Sequence, residues 1–570
     1  MNKLIKRRTL QTTEQLSDSP LLNRIYQARG VSSPDELILS LKGMLNPQGL
    51  ANITHAVDLL YQSYLNNKRI TIVGDFDTDG ATSTALALLA LRQFGFKHVN
   101  YVIPDRISHG YGLSINIAEL IIQKGTDIVL TVDNGVSSFD GIDLLKSHNI
   151  CVIVTDHHLP ADSLPNADVI INPNLNYCTF QSKALAGVGV IFYVMAALRT
   201  KLREEEIFKT GSEPNITELL DLVALGTVAD VVSLDHNNRI LVYQGLNRIR
   251  SGACRPGIKA LAEIAKRNLA KLQTSDLGFA IAPRLNAAGR LENMALGVEL
   301  LICDDIYIAR KLALELDSLN QARKEFEQDM KTEALAICAE LPYLQDSSQA
   351  KGIIVYQKDW HQGVIGILAS RLKDQFHRPV IIFAKDGEEF LRGSARSIPG
   401  VHIRDVLERI NSAYPNLIVK FGGHAMAAGL TIKEKYLSQF QHYFNLIVQE
   451  FIEPEQLQGI IYTDGELSAT ELNLATAELL QKSGPWGQHF PEPVFEGEFN
   501  ILQQQIVGKK HLKLLLETKD GKLVDGIWFN IDTLLHPPDI SLRQVNIIYK
   551  LNINEFRGEK NIQLFIEELY

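Results

Sequence analysis

Short β-branched runs that end in acids constrain this chain more than any other feature. Residues 69–74 (RITIVG) are a strand candidate, and Asp75, Asp77 and Asp79 follow at once in the run DFDTDG. Residues 128–132 lead into Asp133-Asn134-Gly135, and residues 150–155 into Asp156-His157-His158. Further strand-length runs lie at 97–103 and 169–171, while residues 82–94 repeat alanine and leucine as a buried helix would. This alternation predicts an α/β fold built on a doubly wound, mostly parallel sheet. In such a sheet the acid-bearing segments share one edge, the crevice at the carboxyl ends of the strands.

An acid that ends a strand is commonly a turn former or a helix N-cap, so one such cluster alone means little. Three clusters, a His-His pair and a fourth acid in an apolar stretch (Asp230 in ALGTVADVV) change that. Crowded carboxylates repel one another unless a cation neutralises them. Mixed Asp and His ligands suit Mn²⁺ better than thiolate-bound zinc or all-oxygen calcium. A dinuclear metal site is the expectation. Gly187-Val-Gly189 lacks the third glycine of a dinucleotide fingerprint, which argues against a nucleotide cofactor there.

At 570 residues and 63.6 kDa the chain is too long for one core, so three or four domains are expected. No run approaches the roughly 18 apolar residues of a membrane span. The basic residues Lys3, Lys6, Arg7 and Arg8 are followed by polar sequence, so secretion is not expected. Five scattered cysteines without a CxxC pair suit free thiols in a cytoplasmic protein. The net charge of −9 looks hostile to nucleic acid, but residues 454–570 hold 17 acids against 10 basic groups. The remainder is nearly neutral and leaves room for local basic surfaces. Residues 292–341 read as one long helix or two, joining the first lobe to a second α/β segment with strands at 352–356 and 380–383. Beyond residue 454, five short strand-like runs (495–507, 512–518, 523–529, 545–553 and 562–566) suggest a small barrel.

GDFDTDG, VDNG, the literal DHH at 156–158 and VALGTVADVV resemble the motifs of the DHH phosphoesterase superfamily. GGHAMAAG (422–429) resembles its DHHA1 partner domain, and with PRLNAAGR (283–290) the whole is similar to the RecJ-type exonuclease family. The resemblance implies that Asp77, Asp79, Asp133, His157 and Asp230 hold two divalent metal ions, Mn²⁺ or Mg²⁺, with Asp133 bridging. Asp133 and His158 would be the catalytic pair, His158 facing the scissile phosphate. Asp75 shares their face, and Asp156 would orient a histidine.

Substrate contacts are expected from several segments. Gly422, Gly423 and His424 offer backbone amides and an imidazole, with the small residues that follow read as a closely packed helix. Arg284, Asn286 and Arg290, with Ser394 and Arg396, would read a terminal phosphate, since an arginine fork binds two oxygens. Arg106, His109 and Tyr111 suit phosphate contact and base stacking. Lys509, Lys510 and Lys513 form a basic cluster in the acidic C-terminal region, where an edge guard is the competing reading.

The expected organisation is therefore an N-terminal segment (1–45), a DHH catalytic domain (46–291), a helical connector (292–345), a DHHA1 domain (346–453) and an OB-type barrel (454–570). The resemblance implies a metal-dependent 5′→3′ exonuclease on single-stranded DNA in recombination and repair, releasing 5′-mononucleotides. A monomer in the cytoplasm without a membrane association is expected, and the resemblance implies single-strand-binding protein as a partner. The competing readings are a DHH phosphodiesterase for oligoribonucleotides or cyclic dinucleotides, and a metal-free DHH scaffold. The connector and barrel count against the first. The full set of ligand residues counts against the second.

Overall fold

The parallel sheet forms as expected, with strands in the order Val99–Val102, Ile70–Val73, Ile128–Val132, Cys151–Thr155 and Val169–Ile171. The computed structural model describes residues 3–106, 110, 112–209, 211–340, 351–508, 510–531 and 544–570. Ile70–Val73, Ile128–Val132 and Val169–Ile171 are wholly buried, which is why they read as continuous apolar runs. Helix Thr78–Gln93 is buried from Thr78 to Leu91, so its alanines and leucines have no polar face to alternate with.

The connector is two helices, Ala295–Ile302 and Ile306–Glu340. The second is 35 residues and roughly 50 Å long. Its first half buries Ala309, Ala313 and Leu316 in the core of the first lobe. Its second half buries Met330, Ala334 and Cys338 against the second lobe. That lobe is a mixed sheet ordered Lys420–Gly423, Ala427–Lys433, Phe390–Arg396, Val380–Asp386, Ile353–Tyr356. Ile353 and Val355 face one core while Ile354 faces the other, the period-two alternation of a sheet covered on both sides.

GGHAMAAG departs from its expectation. It forms an antiparallel hairpin, not a helix: Gly422 pairs with Gly429, and Gly429 also pairs with Ser394. Alanine favours helices, but ladder pairing on both sides of Ala427–Lys433 overrides that preference.

The barrel is closed, and its five strands are Phe495–Val507, His511–Glu517, Leu523–Trp528, Gln544–Phe556 and Glu559–Leu569. Residues 454–494 precede it and hold other structure, including helix Leu474–Lys482. The N-terminal segment is tied to this region. Leu4–Arg7 pairs in parallel with Ile460–Thr463, and Arg29 meets Asp464 through two hydrogen bonds of 2.7 and 3.0 Å. The apolar core of the first lobe continues through Trp486 and Phe490 into the barrel.

Candidate metal centre and phosphate site

The sheet order reverses at Ile70–Val73, whose neighbours are Val99–Val102 on one side and Ile128–Val132 on the other. The crevice at such a switch point is where parallel α/β sheets place their ligands. Asp75, Asp77 and Asp79 leave one of these strands there and Asp133 leaves the next.

Local structure fixes each side chain. Asp77 is the N-cap of helix Thr78–Gln93 and accepts from the Gly80 amide at 3.0 Å. Asp79 lies in the first turn of the same helix and accepts from Gly187 N at 2.6 Å and Val188 N at 3.0 Å, the first amides of helix Gly187–Glu204. Asp133 sits in the left-handed region at φ 61°, and its place at the sheet edge is set by Asn134, whose Nδ2 donates to the carbonyls of Val73 and Val132. Gly187 is required at this point, because a Cβ there would lie 2.5 Å from Asp133 Cβ. Asp230 caps the C-terminus of helix Leu220–Ala229.

His157 gathers these groups. Its Nε2 lies 3.1 Å from Asp133, 3.4 Å from Asp230 and 4.0 Å from Asp79. Asp156 organises the pair: its Oδ1 accepts from His157 N, His158 N and His158 Nδ1, the last at 2.7 Å, and its Oδ2 accepts from Val136 N. Asn172 and Asn174 hold the carbonyls of His158 and His157. The hairpin of the second lobe reaches the same place, its His424 ring stacking 6.3 Å from that of His158.

The electrostatics describe a site built for cations. Burial, then the neighbouring carboxylates, push Asp75, Asp79 and Asp133 well above the ordinary carboxylate range. Burial pushes Asp230 up as well. Burial holds His157 down, which keeps it a neutral imidazole fit to ligate metal. Burial also opposes charge on His158, but the hydrogen bond and charge of Asp156 outweigh it and raise the imidazole to about 9. Asp75 Oδ1, His157 Nε2 and Asp230 Oδ2 are buried polar atoms without a hydrogen-bond partner. Such atoms are costly unless something coordinates them. Three overlapping sets (Asp75, Asp77, Asp133; Asp79, His157, Asp230; Asp133, His157, His158) each bring their ligand atoms within 4.8 Å of one another. The donors are oxygen and imidazole nitrogen, and the residues present fit Mn²⁺ or Mg²⁺.

Beside this centre lies an arginine cluster. Arg290 donates to Gly363 O at 3.1 Å across the lobe junction, and Arg396 donates to Ser394 Oγ at 3.1 Å. Burial, then Arg106, Arg396 and Arg323, bring Arg290 down to about 9, and burial and Arg106 lower Arg396. Arg106 stacks 4.7 Å over the Phe76 ring. Partly buried like charges that depress one another mark a place for an anion.

Two of the residues expected to read a phosphate also have partners within the protein. Arg284 is paired with Asp317 at 2.8 Å and donates to Ala280 O, so its charge is neutralised. Asn286 Oδ1 accepts from both Thr78 N and Thr78 Oγ1 at 2.8 Å, which makes it a brace for the acidic loop. Its helix, Ala282–Leu291, packs against that loop so closely that Gly289 has no room for a Cβ beside Phe76 O. Lys513 is exposed on the barrel and pairs with Asp525 at 3.4 Å, while Lys510 is exposed in the preceding turn. His109, Tyr111 and Lys509 lie outside the described residues.

The sequence reading missed Asn134, Gly187, Asn172 and Asn174. Gly187 had a signal, a small residue opening an apolar helix, which was weighed only as a nucleotide motif. The asparagines had none beyond their place after strands.

Comparisons with known proteins agree with this geometry. Residues 69–227 match the family model described as DHH family, N-terminal domain, residues 349–451 match the DHHA1 domain, and residues 463–568 match the RecJ OB domain. The chain is 58% identical to the single-stranded-DNA-specific exonuclease RecJ of Haemophilus influenzae, covering 100% of this chain and 99% of that one. It is 53% identical to the protein of the same name from Escherichia coli, over 99% of both. The crystal structure of RecJ in complex with Mn²⁺ from Thermus thermophilus superposes with a TM-score of 0.81 at 26% identity, over 99% of this chain and 79% of that one. A Mg²⁺ complex of RecJ from the same organism gives a TM-score of 0.75.

Proposed function

Since the chain belongs to the RecJ family of single-stranded-DNA-specific exonucleases, we propose that it shortens single strands of DNA from the 5′ end, releasing 5′-mononucleotides. It is a metal-dependent phosphodiesterase that acts in DNA recombination and repair. The observation that carries the reading is His157 Nε2 within 4.0 Å of Asp79, Asp133 and Asp230, in a site whose buried carboxylates call for divalent cations.

Asp77, Asp79, Asp133, His157 and Asp230 would hold two ions, with Asp133 shared. When bound, such ions would supply Lewis-acid polarisation of the phosphate and activation of water at neutral pH. Asp79 is kept in place by the Gly187 and Val188 amides, and Asp133 by the edge of the sheet. His158 keeps a proton on Nδ1 through Asp156 and presents its other nitrogen to the phosphate as a donor. Arg106, Arg290 and Arg396, with Ser394 and the Gly422-Gly423-His424 turn, receive the terminal 5′ phosphate at the lobe junction. Anchoring the terminus sets the direction, because only the first phosphodiester then reaches the acidic centre. The barrel, with Lys510 and Lys513, guides the rest of the strand. The free thiols and the lack, among the described residues, of a helix long and apolar enough to cross a membrane support action in the cytoplasm. The chain would work there as a monomer on strands that single-strand-binding protein coats.

The test offers 5′-labelled single-stranded DNA, the matching duplex and a dinucleotide, each with Mn²⁺ and with EDTA. The single strand should yield labelled mononucleotide at once, faster with a 5′ phosphate than with a 5′ hydroxyl, and EDTA should stop it. Faster hydrolysis of the dinucleotide than of the strand would favour a small-substrate enzyme.

A further inference from the structure

Directly after Asp230, at the end of helix Leu220–Ala229, the chain takes a conformation that its sequence disfavours. Val231 holds φ at 62°, in the left-handed region that a β-branched residue avoids, and is 60% exposed. Such a backbone is costly and persists only where the surrounding structure enforces it. With the side chain mostly in water, the constraint comes from the chain on either side. Before Val231, Asp230 N donates to Gly226 O at 2.9 Å and so belongs to the last turn of its helix. After Val231, the chain is pinned at Ser233 and Leu234.

Most of that pinning comes from a distant part of the chain. Leu234 N donates to Gln488 O at 2.9 Å, and His489 Nδ1 shares a hydrogen bond of 2.9 Å with Ser233 Oγ. Gly487 approaches so closely that a Cβ there would lie 2.7 Å from Cδ1 of the buried Leu234. Asn238, in the next helix His236–Arg250, adds a bond of 2.8 Å to Ser233 O.

The turn that carries Gln488 and His489 is stiff. Gly487 and Phe490 close it with two backbone hydrogen bonds of 2.9 and 3.1 Å. At its base the Trp486 ring stacks 5.2 Å from that of Phe490, and Trp486 Nε1 donates to Leu480 O at 3.0 Å. Thr274 Oγ1 donates to Trp486 O at 2.6 Å and ties the turn to the first lobe a second time. A stiff turn can hold a strained neighbour in place, whereas a loose one would relax with it.

We propose that the turn 487–490 positions Asp230. It holds Val231 in the left-handed region and thereby keeps the Asp230 carboxylate in the metal centre. Gln488 and His489 are positioning residues that act through Asp230, and the stretch leading into the barrel is part of the support of the acidic centre. The inference rests on the reading of Asp230 as a metal ligand.

The test is calorimetric titration of Mn²⁺ into the full-length chain, with the KM for DNA measured alongside. His489→Gly removes the ring and accepts the φ of 57° at that position, and Gly487→Ala pushes Leu234 away. Together they should weaken one Mn²⁺ site about tenfold and leave the KM for DNA unchanged. His489→Asn, which retains a hydrogen-bonding group, should match the wild type. Asparagine tolerates left-handed backbone, so with Val231→Asn also present the double variant should bind Mn²⁺ within about twofold of the wild type. His489 is exposed, so His489→Gly alone, expected to weaken the site about threefold, carries the test if the double variant melts early. Wild-type Mn²⁺ affinity in the folded variants, or an equal loss with and without Val231→Asn, would overturn the proposal. Absence of Mn²⁺ binding by the wild type would instead defeat the metal reading on which the positioning role rests.

Discussion

Replacing Asn286 with alanine should damage the metal centre and leave strand recognition intact. Asn286 Oδ1 accepts from the Thr78 amide and hydroxyl, both at 2.8 Å, and Thr78 is almost completely buried. The hydroxyl has a second acceptor in Ala282 O at 3.2 Å, but the amide is left unsatisfied. A buried unsatisfied donor costs about 1–3 kcal/mol. Thr78 lies between Asp77 and Asp79, so a shift that relieves the cost displaces both ligands. Taken up as weaker metal binding, about 1.4 kcal/mol is a tenfold rise in the Mn²⁺ concentration giving half-maximal rate. Asn286→Asp keeps the acceptor and should stay near the wild type. The assay is the initial rate of nucleotide release from a labelled single strand, titrated in Mn²⁺ and separately in DNA. An unchanged Mn²⁺ midpoint with a raised KM for DNA, worse in the aspartate variant, would instead make Asn286 a DNA contact.

Other perturbations follow from the same geometry. Gly187→Ala puts a methyl 2.5 Å from Asp133 Cβ and 2.7 Å from its Oδ1. Overpacking of that kind costs about 1–3 kcal/mol, so melting temperature and Mn²⁺ affinity should both fall; wild-type values for both would contradict the close approach. Asp156→Asn removes the charge that, against burial, raises His158 to about 9. A donor imidazole is lost as pH rises through its pKa, so the alkaline limb of the rate profile should move to lower pH. A limb that stays in place would remove His158 from the donor role.

Legibility of the fold followed burial. Ile128–Val132 and Val169–Ile171 could be bounded from sequence because both faces are covered and their β-branched runs are uninterrupted. The acids after these strands located the centre because a switch point collects the strand ends. Long-range partners were invisible. Nothing near Arg284 announces Asp317, and a separation of 208 residues hides the pair of hydrogen bonds by which Asn286 braces Thr78. GGHAMAAG misled because its small residues suit a close helix or a tight ladder equally well, and only the pairing with Phe390–Arg396 decides. Leu4–Arg7 found its partner at Ile460–Thr463, a pairing that no local pattern specifies.

We propose that two cations share Asp133 in one catalytic centre. Calorimetric titration of Mn²⁺ into the wild type and Asp133→Asn, with nucleotide release measured on the same samples, tests it most directly. Two ions per wild-type chain are expected. In the variant, which keeps the side-chain shape and loses the charge, both sites should weaken and release should nearly cease. Two tightly bound ions in Asp133→Asn, with release at the wild-type rate in saturating Mn²⁺, would contradict it.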